Sequence, residues 1–214
     1  MNLQICAQCG VWLSRPVVST VDGGSAVVCD DCGHAQPFLR LPLFALTGPS
    51  GTGKSTVCRM LPELLGGDVV VLEQDLLWVG GLREEYDEHG PFRRTWLRMV
   101  ATLNQSGRPS VLCGTVAPPE LEHRPERPLL GEIHYLALVC DDDVLTKRLL
   151  ARPAWREWDE HRVAEMLEFN HWVRDNAEHT TPPMRLLDTT SGTPRDTAHQ
   201  VADWVRGHLS GNTP

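Results

Sequence analysis

The run Leu43-Phe44-Ala45-Leu46 leads directly into Gly48-Pro49-Ser50-Gly51-Thr52-Gly53-Lys54-Ser55-Thr56, which fits GxxxxGK[ST] at every restricted position. No other stretch constrains the chain so strongly. Glycines let successive backbone N–H groups turn inward on phosphate oxygens, Lys54 brings a cation to the β and γ phosphates, and Ser55 offers a hydroxyl to Mg²⁺. A helix opening near Lys54 adds the positive end of its dipole. Gly48, Ser50, Gly51, Thr52, Gly53, Lys54, Ser55 and Thr56 are therefore the expected contacts of a nucleoside triphosphate.

The pattern around this motif is that of a parallel sheet covered by helices. Apolar runs at Leu43–Thr47, Val69–Leu72, Ser110–Cys113, Ile133–Val139 and Met184–Leu187 read as strands, unalternating because both faces are buried. Helical spacing links Val57, Met60, Leu61, Leu64 and Leu65, with Pro62 expected to bend or interrupt the helix. Pro91 opens a clearer helix carrying Phe92, Trp96, Met99, Val100 and Leu103 to Gly107. Two more carry Val144, Leu145 and Leu149, then Val163, Met166, Leu167 and Val173, and a last follows Thr193-Pro194. Residues 117–129, with prolines at 118, 119, 125 and 128, read as a surface loop.

Seven cysteines include two CxxCG knuckles, Cys6-Ala7-Gln8-Cys9-Gly10 and Cys29-Asp30-Asp31-Cys32-Gly33. Each knuckle can aim two thiolates at one ion, so Cys6, Cys9, Cys29 and Cys32 are the expected ligands of a structural zinc. A disulfide pair or redox CxxC is the rival, and a duplicated knuckle in a reducing compartment favours zinc. Val11–Leu13 and Ala26–Val28, around the turn Asp22-Gly23-Gly24-Ser25, read as strands of a zinc ribbon. The expected division is a ribbon over residues 1–41 and a nucleotide-binding domain over 42–214. Cys58, Cys113 and Cys140 read as small core hydrophobes.

With 20 Lys+Arg against 28 Asp+Glu, the net charge is −8 and no basic run stands out, which disfavours a nucleic-acid partner. Only Arg15 and Arg40 are cationic in residues 1–41, so a structural or protein-docking role suits the ribbon better than an RNA-holding one. Met1-Asn2-Leu3-Gln4 lacks a signal peptide's basic start, and no apolar run reaches membrane-span length, so a cytoplasmic protein is expected.

Strand, GPSGTGKST, helix, a strand ending Glu73-Gln74-Asp75, and Cys140 to Leu149 followed by arginines together resemble the P-loop kinases: nucleoside monophosphate kinases and small-molecule relatives such as shikimate, gluconate and chloramphenicol kinases. The resemblance covers residues 43 to about 209. It implies an α/β fold with a five-stranded parallel sheet of order 2-3-1-4-5 in three α/β/α layers, ATP and Mg²⁺ at the carboxyl ends of the strands, and a lid.

The resemblance also implies roles. Asp75 would orient or deprotonate an acceptor hydroxyl or hold Mg²⁺ through water, with Glu73 sharing its side of the strand. The plainer reading of Asp75 is a helix cap. Arg148 and Arg152, where the family places its lid, would neutralise charge on the transferring phosphoryl group. Adenylate-kinase-like enzymes carry an arginine shortly after the aspartate, where this chain has Trp78. A guanidinium fork is missing there, so a hydroxyl on a nucleoside, sugar or other metabolite is favoured over a nucleoside monophosphate, with Trp78, Tyr86 and Arg83 as acceptor contacts. Arg83, Arg93 and Arg94 remain available to hold an acidic acceptor, so the choice is tilted and not closed. A switch ATPase or GTPase is disfavoured because the third strand ends Cys113-Gly114-Thr115 without an aspartate. A zinc-ribbon nucleic-acid kinase is the remaining alternative.

Overall fold

The computed structural model describes residues 2–77 and 89–210. These fall into two compact units, one drawn from residues 1–43, 74–110 and 119–133, the other from 44–73, 111–118 and 134–214.

In the first unit, β1 (Val17–Val21), β2 (Gly24–Val28) and β3 (Ala35–Phe38) form an antiparallel sheet in that order. Asp22 and Gly23 turn the first hairpin with φ of 52° and 80°, the paired positive angles of a type I′ turn. The strand before this turn is the β-branched run from Val17, whereas Val11–Leu13, expected as a strand, contributes only the bridge from Trp12 to Ile5. Helix α2 (Gly90–Asn104) has Pro91 in its first turn, where a missing N–H costs nothing. Its Ala101 joins Leu3, Val27, Phe38 and Leu129 in one core cluster. Gln105 locks to Leu39 in both directions, accepting from its N–H at 2.9 Å and donating to its carbonyl at 3.0 Å.

Residues 117–129 are not the surface loop that their prolines imply. They form α3 (Pro118–Glu122) and a 3₁₀ turn over Arg127–Leu129, with Leu121, Glu126 and Leu129 buried. Prolines 118, 119 and 128 sit at the starts of these short helices, where ring geometry is preorganised. Glu126, fully buried, accepts from Arg94 at 3.0 Å, Arg98 at 2.7 Å and the Gln4 amide at 3.3 Å. Arg98 also lies over the Trp12 ring at 5.4 Å.

The second unit is built on β4 (Leu43–Thr47), β5 (Val70–Glu73), β6 (Ser110–Cys113), β7 (Ile133–Val139) and β8 (Met184–Asp188). They form one five-stranded parallel sheet of order β5-β6-β4-β7-β8, which counted along this sheet is 2-3-1-4-5, as expected. β4 is buried along its whole length, as a central strand must be. Helices α1 (Lys54–Leu65) and α6 (Pro194–Ser210) share a core with the sheet through Val57, Leu61, Phe44, Leu136, Val201 and Val205. α4 (Asp142–Leu150) and α5 (Glu160–Asn176) pack through Leu145, Leu149 and Val163. α1 runs through Pro62 without a break and ends at Gly66, so the expected interruption is absent. A capping box opens α6: Thr193 Oγ1 accepts from the Asp196 N–H at 3.1 Å and the Asp196 carboxylate accepts from the Thr193 N–H at 3.3 Å.

Candidate functional site

Backbone shape at the end of β4 requires glycine. A Cβ on Gly48 would stand 2.1 Å from the Leu138 carbonyl oxygen, and Gly53 precedes α1 with φ 96°, a left-handed angle side chains rarely adopt. The loop curls so that the buried Lys54 Nζ donates to the carbonyls of Gly48 at 2.6 Å and Pro49 at 2.8 Å. Thr52 Oγ1 donates to Pro49 at 2.9 Å and Thr115 Oγ1 to Gly48 at 3.2 Å, bracing the same two carbonyls. Ser55 is exposed in the first turn of α1, and Ser50 and Thr56 are half-buried. A loop that glycine alone can trace, ending on a helix N-terminus with a lysine folded over it, fits a polyphosphate.

Beside the loop lies a cavity of about 240 Å³, lined among others by Thr52, Gly53, Thr56, Arg148, Arg152 and Thr189. Thr189, just past β8, ties the wall together. Its hydroxyl lies 3.1 Å from the carbonyl oxygens of both Thr52 and Val139 and accepts from Arg148 at 3.3 Å, while its own carbonyl accepts from Arg148 at 2.8 Å. Arg148 is thus brought to the phosphate loop and oriented there. Arg152 lies over the Trp158 ring at 5.3 Å, with Arg162 over the same ring at 4.7 Å. Arg156 is exposed over Trp155 and does not line this cavity. In the sequence Asp188-Thr189-Thr190 follows an apolar run as a strand-terminal turn would, and nothing in it singles out Thr189 as the residue that orients Arg148.

Glu73 ends β5 half-buried. Asp75 sits in the 3₁₀ turn Gln74–Leu77, exposed, and its carboxylate has no hydrogen-bond or ion-pair partner among the described residues, so a capping role finds no support. Trp78, Arg83 and Tyr86 lie outside the described residues. Arg93 and Arg94, read as available to hold an acidic acceptor, pair within the chain, Arg93 with Glu120 and Arg94 with Glu126.

The thiols of Cys6, Cys9, Cys29 and Cys32 converge, all within 4.8 Å of one another. Cys6 and Cys32 are 3.6 Å apart and Cys9 and Cys29 3.7 Å, close to the roughly 3.8 Å edge of a sulfur tetrahedron about 2.3 Å from zinc. The knuckles are copies: the Gly10 N–H donates to Cys6 and the Gly33 N–H to Cys29, both at 2.9 Å, with φ of 74° and 71°. Backbone N–H groups of Cys9, then Gln8, hold the Cys6 thiol down at about 6, outweighing its burial. Two matching turns and four sulfurs at this spacing fit a zinc ion with no open position.

The fold and the loop together define a P-loop protein. Residues 45–168, more than half of the chain, match the family model AAA_18, described as AAA domain, and the chain belongs to that family. Among solved structures it is similar to a gluconokinase from Sinorhizobium meliloti 1021, with 18% identity, 81% of this chain and 98% of that one covered, and a TM-score of 0.56. A shikimate kinase from Acinetobacter baumannii in complex with shikimate gives 23% identity, 83% and 98% coverage and a TM-score of 0.51. The tunicamycin resistance protein of Deinococcus radiodurans gives 15% identity, 78% and 96% coverage and 0.52. At these identities the likeness is one of fold. No curated protein matches the sequence. Among the described residues no helix is long and apolar enough to cross a membrane.

Proposed function

We propose that this protein is an ATP-dependent phosphotransferase that moves the γ-phosphoryl group to a hydroxyl of a small acceptor: a nucleoside, a sugar or another metabolite. The observation that carries this reading is the convergence of the glycine loop, through Gly51, Thr52 and Gly53, with Arg148 and Arg152 on one cavity, while Lys54 grips the carbonyls of the same loop. Phosphoryl transfer asks the protein chiefly for positioning and for cations around the migrating group, and these residues supply both. Ser55, with Asp75 through water, would hold Mg²⁺, which neutralises phosphate charge when bound. Asp75, exposed with its acceptor capacity unspent, is the proposed acceptor of the hydroxyl proton.

Glu73, Trp78, Arg83 and Tyr86 are the proposed acceptor contacts. The pairing of Arg93 with Glu120 and of Arg94 with Glu126 favours a neutral hydroxyl acceptor over a phosphorylated one. The ribbon, proposed as residues 1–41 against a kinase domain over 42–214, carries zinc as structural support and offers a protein-docking surface rather than a nucleic-acid site. The seven free cysteines suit a reducing cytoplasm.

Asp75→Asn and Arg148→Ala test these roles. The first is expected to leave ATP affinity within a few-fold and to lower turnover by on the order of 10², the scale of a positioned proton acceptor. Rescue by raised Mg²⁺ would reassign Asp75 to the metal. Arg148→Ala is expected to lower turnover without such rescue. Normal turnover in both variants would contradict the proposal.

A further inference from the structure

The three-stranded sheet of the first unit has two outer edges, and they are built differently. β2 and β3 pair at Ser25 with Phe38 and at Val27 with Gln36, and the bond from the Cys29 N–H to the His34 carbonyl continues that alternation. The backbone groups of Ala35, Pro37 and Leu39 therefore point away from β2. Two of these three positions are blunted: Pro37 has no N–H to offer, and Gln105 closes Leu39 in both directions.

β1 carries no such device. Val21 and Gly24 flank the two-residue turn and exchange hydrogen bonds, so Ser19 and Val17 also bond to β2, while the N–H and C=O groups of Val18 and Thr20 point outward. Among the described residues no strand pairs with that side and no hydrogen bond ends on those four groups. Val17–Val21 holds neither proline nor charge, and Val17 and Val21 are 46% and 40% exposed. An open, uncharged, β-branched edge is a template for another strand.

We infer that β1 pairs antiparallel with β1 of a second copy of this chain, about a two-fold axis through Ser19, and so joins two three-stranded sheets into one of six strands. The inference gives the docking role proposed for the ribbon a definite partner and rests on zinc folding that ribbon; it is independent of the ATP-site reading.

The edge is complementary to itself. Its outward groups lie at 18 and 20, so four bonds form when Val18 faces Thr20 of the other copy and Thr20 faces its Val18. That register sets Ser19 opposite its own copy and Val17 opposite Val21, in non-hydrogen-bonded pairs, where side chains approach closest. The exposed valines of each edge thus cover those of the other. Charge agrees with this choice of partner: Arg15, exposed just before the strand, comes beside the equally exposed Asp22 in the turn of the other copy, and among the described residues neither has an ion pair within its own chain. Pro16, without an N–H, ends the ladder where the other copy's turn begins. One shared edge is a small interface, so the dimer is expected to be weak and to depend on concentration.

The test is sedimentation equilibrium of the zinc-loaded full chain from about 1 to about 100 μM, a range suited to a small interface, where the mass is expected to rise from that of one chain toward that of two. Ser19 is exposed, and Ser19→Lys sets two like charges face to face on the axis; it is expected to weaken self-association by about tenfold or more at unchanged zinc content. Cysteine pairing reads the register. In a non-hydrogen-bonded pair the α-carbons lie about 4.5 Å apart, within disulfide reach, so under oxidised glutathione Ser19→Cys is expected to link the two copies through position 19, as mapped by peptide mass. Thr20→Cys, whose opposite neighbour is Val18, is expected to form no such link. A parent that stays monomeric throughout overturns the inference, and zinc analysis of the same sample separates the two readings: a zinc-loaded monomer strikes the pairing alone, a zinc-free one strikes the ribbon as well. A dimer undisturbed by Ser19→Lys, or linked in Thr20→Cys and not in Ser19→Cys, places the contact elsewhere and also overturns it. Sedimentation of the parent needs no variant to fold.

Discussion

Arg148 reaches the phosphate loop through Thr189: its guanidinium donates to the Thr189 carbonyl at 2.8 Å, and the Thr189 hydroxyl in turn lies 3.1 Å from the Thr52 carbonyl. A side chain from α4, a residue past β8 and the loop after β4 thereby share one hydrogen-bonded wall. Thr189→Val keeps the shape and removes the hydroxyl. It is expected to cost about 1 kcal/mol of stability, as one buried hydrogen-bonding group does, and to lower turnover more than ATP affinity. Thermal melts and separate measurement of kcat and KM check both parts.

Lys54→Ala should abolish phosphoryl transfer with the fold retained, because the lysine contributes a charge at the phosphates and no atom to the apolar core. Circular dichroism and a turnover assay decide it, and undiminished turnover would refute the assigned role.

Glu126→Ala should destabilise the chain by about 2–3 kcal/mol, the range for stranding hydrogen-bonded charged partners. The full cost of a broken buried ion pair is not expected, since Arg94 and Arg98 are each about a third exposed and can turn to water. Chemical denaturation measures it, and a variant as stable as the parent would show that the network adds nothing.

Acid should act partly through Asp188. Burial raises this carboxyl, but hydrogen bonds from Thr190, side chain and backbone, and from Arg174 outweigh it and leave the pKa below the usual aspartate value. A depressed folded value means that the stabilisation is whole above about pH 4 and is lost as pH falls through the folded pKa. Asp188→Asn should therefore flatten the acid limb of the stability curve below about pH 4. An unchanged limb in melts taken across that range would contradict this.

A strong chelator or Cys6→Ser should unfold the three-stranded unit, because binding energy at a four-thiolate site is folding energy. Elemental analysis should find one zinc per chain. Protein purified without chelator and free of zinc would contradict it.

The parallel sheet and the loop at Gly48 were legible because each depends on local pattern: apolar runs, glycine spacing and helical stripes; the order of the strands came from the resemblance to P-loop kinases and from no local pattern. Glu126 was not legible. Its burial depends on Arg94, Arg98 and Gln4, the last 122 residues away in the chain, and prolines around it read as loop when they in fact start short helices. The first ribbon strand was misplaced because Val11–Leu13 and Val17–Val21 are both β-prone, and the type I′ turn at Asp22-Gly23 selects the nearer one. Pro62 breaks no helix because α1 is held by its buried face through Val57, Leu61 and Leu65. At the site, Arg148 was singled out by the resemblance, which places a lid there, but Thr189, which orients it, is joined to it only by tertiary folding.

Transfer of label from ATP carrying an isotopic γ-phosphate tests the central claim most directly. The protein is incubated with that ATP, Mg²⁺ and a pool of hydroxyl-bearing metabolites, and the products are resolved by mass spectrometry. The account predicts a metabolite heavier by one labelled phosphoryl group, formed by the parent and absent with Lys54→Ala. Label recovered solely as inorganic phosphate, or left on ATP, would contradict it.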